Sequence, residues 1–402
     1  MISSRLPRDL SPNATARAVD ALRASGADVI DLTESNPTRA GFPYPDKLLE
    51  PLASARGLRY DPHPLGSIEA REAVSREFLR RGLQMPPDHI GLTSSTSEAY
   101  SFLFKLLCNP GDAVLVPTPS YPLFDHLTSL ESVVPLSYSL EYHGSWRVDI
   151  DSVRSQLNDT VRALLIVSPN NPTGSFLHAD DLTQLTEICA AHGMMMVGDE
   201  VFADFTLDDA PHAVSPLAQN EALVCSLGGL SKSGGLPQVK FSWIGFAGPS
   251  PQLEELLVAY EIVADTYLSV STPVQVAAST LLAEAPQLRA AIHERVRQNL
   301  TTLRDQARNH PAVTVLACEG GWSAVLQLPA LRSEEALVLE LLNEDHVFVH
   351  PGYFFDFPRE SFVVVSLLVP PELFSLGISR VLMRATLGRG SFGEGGSRDS
   401  LP

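Results

Sequence analysis

Residues 226–237 read SLGGLSKSGGLP and follow the apolar run Ala222–Cys225, which has the composition of a buried strand. Lys232 is the one charged residue in this stretch. Because lysine is strongly hydrated and its long side chain is costly to order, a single lysine in a glycine-rich turn at a strand end suggests a placed amine. An ordinary loop lysine is the alternative for this segment alone. A phosphate-binding P-loop matches poorly, because Ser231 rather than glycine precedes the lysine.

Length and composition are those of a large globular protein. The chain has 402 residues, which is enough for about two domains. Apolar residues make up 44% and charged residues 19%, as is usual for soluble proteins. No apolar run reaches the roughly 18 residues of a membrane span, and residues 1–5 lack the apolar core of a signal peptide. We therefore expect a cytoplasmic protein with no membrane partner.

The charge balance and the cysteines exclude other classes. There are 29 basic and 47 acidic residues, and the net charge of −18 repels a phosphate backbone, so nucleic-acid binding is not expected. The cysteines are scattered singly, without Cys-x-x-Cys spacing or paired histidines, which predicts free thiols and no metal site. They are Cys108, Cys189, Cys225 and Cys318.

Short apolar runs alternate with helical segments through the first half of the chain. An amphipathic helix with Ile68, Val74 and Phe78 on its inner face comes first. Unbroken apolar strands separated by helices predict an α/β fold with a mostly parallel sheet covered on both faces. A long helix from about Pro286 to Ala307 and a smaller α/β unit follow. The predicted strands of the sheet are 113–116, 133–136, 163–167, 194–197 and 222–225.

Polar groups follow three of these strands. The segment Ser168–Gly174, the pair Asp199 and Glu200, and Lys232 each come after an apolar run. Any one of them is more often a turn or a helix cap than a catalytic group. Sites in such sheets gather at the carboxyl ends of the strands, so all three together predict a functional site.

The hydroxyl-rich segment Ser94–Ser97 opens an apolar helix. Ser and Thr at a helix start commonly cap free N–H groups, and the same groups and the helix dipole also favour a phosphate. An amine, a carboxylate, a neutral amide, a flat aromatic ring and such a helix start together suit pyridoxal phosphate. The lysine would bond the cofactor aldehyde, and the carboxylate would pair with the ring nitrogen.

With these motifs, the sequence resembles the class I/II aminotransferases of pyridoxal phosphate fold type I over about residues 29–385. That family has a large domain with a mostly parallel sheet between helices and a smaller α/β domain. The motifs that carry the resemblance stand in the family's order and approximate spacing. They are Ser168–Gly174, Asp199–Phe202, Ser231–Lys232, Pro117–Pro122 and His350–Tyr353.

The resemblance implies a role for each matched residue. Lys232 would form the Schiff base and shuttle a proton, Asp199 would keep the ring nitrogen protonated, and Asn171 would bond the ring hydroxyl. Tyr121 would stack on the ring, and Thr96 and Ser97 would bind the phosphate. Tyr60 matches the tyrosine that reaches the phosphate of the partner subunit, which implies a homodimer.

The expected domain limits follow the same pattern. Residues 46–285 are predicted to form the large cofactor-binding domain, and residues 1–45 with 286–387 the small domain. Residues 388–402 are rich in glycine, serine and charge, which is typical of a disordered tail.

Three cofactor positions depart from the family pattern. Lys240 stands where an arginine usually binds phosphate, so charge is kept but the two-pronged geometry is lost. Gly229 replaces a phosphate-binding serine, and Ser226 or Ser233 are the candidates to replace its hydroxyl. Phe202 replaces a tyrosine that bonds the ring oxygen, which predicts a Schiff base that stays protonated to a pH about one unit higher.

A fourth departure concerns the substrate. Val364 stands where the family arginine grips the α-carboxylate, and an arginine–carboxylate fork supplies both orientation and affinity. Asn36, Arg39 and Arg359 are the candidates to reach the carboxylate from other loops. The alternative is a substrate without a free α-carboxylate.

These observations predict an aminotransferase that moves an amino group from a donor, expected to be an amino acid, to an oxo acid. A lyase or decarboxylase of the same fold is the main alternative, because it would share the same lysine chemistry. A binding protein without turnover is less consistent with keeping Lys232, Asp199 and Asn171 together. A metal hydrolase is not supported, because no His-Glu-x-x-His spacing occurs.

Overall fold

The central strands are unbroken apolar runs that pair side by side. The computed structural model describes residues 2–387 apart from residues 209, 211 and 269. The predicted tail, residues 388–402, lies outside the described residues. Among those described, no helix combines the length and apolarity needed to cross a bilayer.

The strands, in chain order, are β1 (Ile30–Asp31), β2 (Ile90–Thr93), β3 (Ala113–Thr118), β4 (Val134–Tyr142), β5 (Trp146–Val148), β6 (Val161–Val167), β7 (Met195–Asp199), β8 (Val224–Gly229), β9 (Ser242–Ala247), β10 (Thr314–Val315), β11 (Ser323–Gln327), β12 (Val347–Phe348), β13 (His350–Pro351) and β14 (Phe362–Ser366). The helices are α1 (Ala14–Ala24), α2 (Ile68–Arg80), α3 (Thr96–Leu107), α4 (Phe124–Leu130), α5 (Ile150–Ser155), α6 (Ala179–His192), α7 (Leu230–Ser233), α8 (Ser250–Tyr267), α9 (Thr272–Ala307), α10 (Glu334–Asp345) and α11 (Pro371–Thr386).

The larger sheet has the order β2-β9-β8-β7-β6-β3-β4-β5 within the described residues. Its five central strands, from β8 to β4, are mutually parallel, whereas β9, β2 and β5 pair antiparallel at the two sides. Successive side chains of a strand point to opposite faces. Accordingly, Val114 and Val116 pack with α3 and α8, and Ala113 and Leu115 pack towards α6. The predicted mostly parallel α/β sheet is confirmed.

The parallel register brings the strand ends together. Val167 at the end of β6 pairs with Asp199 at the end of β7, and Asp199 pairs with Leu227 in β8. Beyond β8 the chain turns directly into α7, which contains Lys232. The polar groups predicted at strand ends therefore share one edge of the sheet.

A second, antiparallel sheet has the order β10-β11-β14-β13. Near it, β1 pairs in parallel with β12, so the N-terminal segment folds with the C-terminal part of the chain. The Ser366 N–H donates to the Leu32 carbonyl oxygen at 2.6 Å, and the Ser366 hydroxyl donates to the Glu34 carbonyl oxygen at 2.6 Å. These bonds tie the loop after β1 to the end of β14.

Two sequence predictions were wrong in detail, and one short strand was missed. Ile68 is the first residue of α2 and is 46% exposed, because the buried stripe of this helix starts one turn later with Ala70, Ala73, Val74 and Phe78. The long helix begins at Thr272, because it continues through Pro286. The short strand β5 forms an antiparallel pair with β4 that the alternating pattern did not reveal.

Candidate active site

A cavity of about 220 Å³ opens where the carboxyl ends of β6, β7 and β8 face the pair β13 and β14. The large sheet and its helices contribute one side of the cavity, and the smaller sheet contributes the other. The lining residues on the first side include Thr96, Ser97, Tyr121, Phe124, Val167, Asn171, Asp199, Phe202 and Lys232. Those on the second side include Trp322, Ser323, His350, Phe354, Phe355, Val364 and Ser366, together with Thr33 and Ser35 from the loop after β1.

The Lys232 amine lies between two aromatic rings. Its Nζ atom is 5.3 Å from the ring centre of Phe202 and 5.0 Å from that of Trp322. Burial lowers the pKa of this amine to about 8, although the negative charge of Asp199 opposes the shift. Among the described residues, no hydrogen-bond or ion-pair partner occupies Nζ. The amine therefore loses its proton at a lower pH than an ordinary lysine does, and among the described residues it is available to bond a ligand.

Hydrogen bonds hold the backbone of the turn that carries Lys232. Arg289 of α9 donates from Nε to the Ser233 carbonyl oxygen at 2.8 Å. The Tyr44 hydroxyl donates to the Gly235 carbonyl oxygen at 2.6 Å, and the Leu230 N–H donates to the Phe241 carbonyl oxygen at 2.9 Å. These bonds hold the backbone on both sides of the lysine.

Asp199 ends β7 inside the cavity. Burial raises the pKa of its carboxyl group to about 6, while the Val201 N–H at 3.2 Å and the Tyr100 hydroxyl at 3.0 Å donate to the carboxylate and oppose that shift. A buried carboxylate with only partial compensation has a strong preference for a cationic partner. The geometry suits a protonated ring nitrogen.

The start of α3 contributes a polar corner of the cavity. Ser95 is the N-cap, and its hydroxyl accepts from the Glu98 N–H at 3.1 Å. The Glu98 carboxylate accepts in return from the Ser94 N–H at 2.6 Å. Thr96 and Ser97 line the cavity in the first turn, where the positive end of the helix dipole attracts an anion.

Asn171 and Tyr121 complete this side. The loop after β6 is held by Asn170, whose N–H donates to the Ser175 carbonyl oxygen at 2.8 Å and whose side chain donates to the Ser120 hydroxyl at 3.3 Å. This arrangement fixes the neighbouring Asn171 at the cavity, where a long 3.5 Å contact links its Oδ1 to the Ser323 hydroxyl. Tyr121 is 44% exposed at the opening, as a ring that stacks on a ligand would be.

The opposite wall is built on two short strands. His350 of β13 is directly opposite Val364 of β14 in the antiparallel register, and both line the cavity. The His350 ring stacks on Phe354 with centres 4.9 Å apart and an angle of 3° between planes. Burial lowers the pKa of His350 to about 4. Val364, at the position expected for the carboxylate-binding arginine, is itself buried.

Three residues predicted for the site do not line this cavity. Lys240 is exposed and has a positive φ of 58° after the lysine turn. Tyr60 is 65% exposed on the surface of the chain. The Asn36 side chain closes a local turn, where its oxygen accepts from the Thr38 N–H at 3.0 Å and the Thr38 hydroxyl at 2.8 Å.

The hydroxyls proposed to compensate for Gly229 also point elsewhere. The Ser226 hydroxyl donates to Glu200, and the Ser233 hydroxyl donates to the Gly229 carbonyl oxygen at 2.9 Å. A Cβ atom on Gly229 would lie 2.4 Å from the Ser242 hydroxyl oxygen. Glycine is therefore required here by the close approach of β9.

Sequence reasoning missed several residues of the site. Tyr100, Trp322 and His350 were not assigned roles, although each contacts or lines the cavity with Lys232 and Asp199. Tyr100 had a detectable signal, because it lies one helical turn after Thr96. Trp322 and His350 depend on how the smaller sheet faces the larger one, which no local pattern reveals.

With this geometry in place, comparison with known proteins identifies the family. The sequence profile of the family "Aminotransferase class I and II" matches residues 27–372. The chain belongs to the class I and II aminotransferase family. It is a pyridoxal phosphate-dependent transaminase, as predicted, and the aminotransferase assignment is favoured over the lyase alternative.

Named aminotransferase relatives cover most of the chain. Glutamate-pyruvate aminotransferase AlaA of Escherichia coli K12 is 27% identical over 359 residues, which is 86% of this chain and 88% of that protein. Alanine aminotransferase of Mycobacterium tuberculosis H37Rv is 27% identical over 351 residues, or 84% and 81%. Among solved structures, alanine aminotransferase from Pyrococcus furiosus has a TM-score of 0.86 at 24% identity, covering 95% of this chain and 99% of that one. The predicted fold type I architecture of this aminotransferase is confirmed.

The residues of this aminotransferase fit its cofactor. The Lys232 amine has no hydrogen-bond partner among the described residues and suits the aldehyde. The incompletely compensated carboxylate of Asp199 suits the ring nitrogen, and the α3 start suits the phosphate. These three groups lie around one cavity, and Tyr121 and Asn171 stand beside it.

Proposed function

We propose that the cavity described above is the active site of this aminotransferase and that Lys232 is the residue that holds the cofactor. The observation that carries the proposal is the Lys232 amine, whose pKa is lowered to about 8 and which lines the cavity together with Asp199. A neutral amine is the form that bonds an aldehyde.

Each residue then has a defined task. Pyridoxal phosphate, when bound, supplies an aldehyde that bonds amines and a ring that takes up electrons released at the substrate carbon. The Asp199 carboxylate keeps the ring nitrogen protonated, and the Asn171 side chain donates to the ring hydroxyl. Thr96 and Ser97 donate to the phosphate at the start of α3. Tyr121 packs on the ring face and limits access of water.

Lys232 also moves the proton of the reaction. As a free amine, its Nζ atom would take the proton from the substrate carbon that carries the amino group and later return it. A base with a pKa of about 8 is well matched to such a transfer near neutral pH. The hydrogen bonds that the turn makes with Arg289, Tyr44 and Phe241 keep it in place for this proton transfer.

The donor is proposed to be an amino acid and the acceptor an oxo acid. Relatives carry the names glutamate-pyruvate aminotransferase and alanine aminotransferase, so alanine and glutamate are the donors to test first.

The active unit is proposed to be a homodimer in which Tyr60 reaches the phosphate of the partner. Tyr60 is exposed beside the exposed Leu58, which is 89% accessible in the single chain. Burial of these two side chains against a partner subunit would stabilise the dimer. Lys240 is proposed to add positive charge near the phosphate, although its side chain is exposed in the single chain.

A subunit mixture tests the shared site. Lys232→Ala and Tyr60→Ala are expected to be weakly active or inactive alone. In a mixed dimer, one site combines Lys232 of one chain with Tyr60 of the other. An equal mixture should therefore recover about a quarter of wild-type activity, since half of the dimers are mixed and each has one complete site. Activity equal to the sum of the separate variants would contradict a shared site.

The domain division and location are also proposals. We place the large domain at residues 46–285 and the small domain at residues 1–45 and 286–387, supported by the pairing of β1 with β12. The limit at residue 286 falls inside α9. A cytoplasmic location is supported by the cysteines, which are unpaired in the described residues.

The decisive experiment is a donor panel on the cofactor-loaded protein. Wild type should change the visible absorption of the cofactor on addition of a donor and release an oxo acid, and an added oxo acid should reverse the change. Lys232→Ala should lose the visible band of the lysine-bound cofactor. Release of ammonia, carbon dioxide or a β-leaving group without that cycle would indicate lyase or decarboxylase chemistry instead.

A further inference from the structure

The pair His350 and Val364 presents an imidazole on the side of the cavity that also carries the hydroxyls of Ser323 and Ser366. Directly opposed residues of antiparallel strands project from the same face of the sheet. Both side chains line the cavity, so the imidazole lies beside the position where the family arginine would stand. Phe354 and Phe355 also line this wall.

A substrate carboxylate needs a partner on this wall. Within the described lining, Lys232 is the one lysine or arginine, and the proposed function assigns it to the cofactor. Arg39 is outside the lining and pairs with Glu34 at 3.1 Å. The Arg359 guanidinium lies over the Phe362 ring at 5.6 Å. A buried carboxylate without a donor or a cation is strongly disfavoured.

The His350 ring is held in a defined orientation. It stacks on Phe354 and meets the rings of Phe348 and Phe355 edge-on, with centres 5.7 Å away in both cases. Among the described residues, neither ring nitrogen has a hydrogen-bond partner. A fixed imidazole with free nitrogens next to a cavity has one N–H to donate when neutral and two when protonated.

Resting on the proposed function, we propose that His350 is the specificity-determining residue that receives the substrate carboxylate in place of the missing arginine. The imidazole donates a hydrogen bond to the carboxylate, and the new negative charge favours a second proton on the ring. Val364 leaves the space that this carboxylate occupies.

The surroundings are compatible with this change of charge. Burial lowers the pKa of His350 to about 4, against the opposing effect of Asp31, so the ring is neutral in the empty cavity. The Glu334 carboxylate of α10 accepts from the Tyr353 and Phe362 N–H groups at 2.8 and 2.7 Å. The other charged groups of the cavity are Lys232 and Asp199. A bound carboxylate adds the negative charge that the ring lacks and so promotes proton uptake.

Matched donors separate recognition of the carboxylate from a structural role. L-alanine and L-alaninamide differ in that only the first has a carboxylate. His350→Phe should lower kcat/KM for L-alanine by about 30-fold or more, as removal of a charge-assisted bond does, and change kcat/KM for L-alaninamide by less than about threefold. His350→Gln keeps a neutral donor, so its kcat/KM for L-alanine should lie between those of wild type and His350→Phe.

A second substitution, at Val364, tests whether the carboxylate binds where the family arginine would stand. In the His350→Phe background, Val364→Arg should restore much of the preference for L-alanine, whereas Val364→Met, with a long uncharged side chain, should not. Equal losses for both donors in His350→Phe would overturn the inference and leave a structural role. An inactive wild type with every donor would instead overturn the proposed function.

Proton uptake gives a readout independent of turnover. Propionate, an unreactive carboxylate of substrate size, is titrated into cofactor-loaded protein by calorimetry in two buffers with different ionisation enthalpies. Wild type should take up a fraction of a proton near pH 6 to 7, and His350→Gln should take up none and bind propionate more weakly. Equal affinity and equal uptake in both proteins would overturn the inference even if Val364→Arg fails to fold.

Discussion

The Tyr100 hydroxyl donates a 3.0 Å hydrogen bond to Oδ2 of Asp199. Tyr100 projects from α3 and Asp199 ends β7, so the bond connects the helix whose start lines the cavity to the carboxylate inside it. Burial raises the pKa of the Tyr100 phenol well above its ordinary value. The phenol therefore remains a hydrogen-bond donor throughout the pH range in which Asp199 ionises.

Tyr100→Phe should raise the pKa of Asp199 further. The substitution keeps the ring contacts with Phe104 and Phe124 but removes a bond that stabilises the carboxylate. A hydrogen bond to a charged group is worth about 1.5–3 kcal/mol, which predicts a rise of about one to two pH units. A carbon-13 NMR titration of labelled aspartate in the cofactor-free protein measures it, and Asp199→Asn identifies the signal. An unchanged or lower midpoint would contradict the prediction.

Asp199→Asn should stabilise the cofactor-free protein at alkaline pH. The pKa of Asp199 is about 6 in the folded protein, above its ordinary value of 3.8. Its contribution to stability is therefore full below pH 4 and is lost as the pH rises through 6. At pH 8 the variant should exceed wild type by roughly 3 kcal/mol, and at pH 4 the difference should nearly vanish.

Urea unfolding of both cofactor-free proteins at the two pH values is the measurement. The same variant is expected to bind the cofactor weakly, so function and stability change in opposite directions. A pH-independent difference between the two proteins would contradict the assignment of the raised pKa.

Phe202→Tyr should move the titration of the cofactor's visible band to lower pH. Phe202 lies against the Lys232 amine, and a tyrosine hydroxyl there would donate to the ring oxygen of the cofactor. A neutral hydrogen bond contributes about 0.5–1.5 kcal/mol, so the shift should reach about one unit at most. Phe354→Tyr, on the opposite wall, is the matched control and should leave the midpoint in place. An unchanged midpoint in Phe202→Tyr would contradict the prediction.

Arg289→Met should destabilise the protein by about 2–4 kcal/mol. Arg289 is 9% exposed and contacts Asp204 at 3.2 Å and Glu77 at 3.3 Å, besides its bond to the Ser233 carbonyl oxygen. Its removal leaves Arg80 to compensate two carboxylates. Arg308→Met is the control, since the Arg308 side chain is 77% exposed and its pair with Asp305 should contribute little. Equal unfolding midpoints for the two variants would refute the predicted loss.

The cofactor side of the cavity was largely predictable from sequence. Lys232, Asp199 and Asn171 each follow an apolar run, and parallel strands end at one edge, so local patterns were enough to bring them together. The bond between Tyr100 and Asp199 spans 99 residues of sequence and was not predictable. It depends on the direction in which α3 crosses the sheet.

Spacing from a motif was a poorer guide to which side chains reach the cavity where the backbone turns. Lys240 has the spacing of a phosphate ligand, yet its positive φ and exposure direct it away from the cavity of the single chain. Asn36 was expected near the substrate, but its side chain is used by the turn at Thr38. Ser35, next to it, lines the cavity instead. Spacing gives position along the chain, whereas side-chain direction is set by local hydrogen bonds.

The opposed pair His350 and Val364 belongs to the smaller sheet, while the residues that fit the cofactor belong to the larger one. Substitutions on β13 and β14 can therefore alter substrate choice while the lysine turn and the phosphate corner stay intact. For an engineer, the cavity-facing positions 350 and 364 are the ones to vary, because Val363 and Val365 of β14 are fully buried in the core. For evolution, it offers a route by which one cofactor site acquires new substrates through a few neighbouring changes.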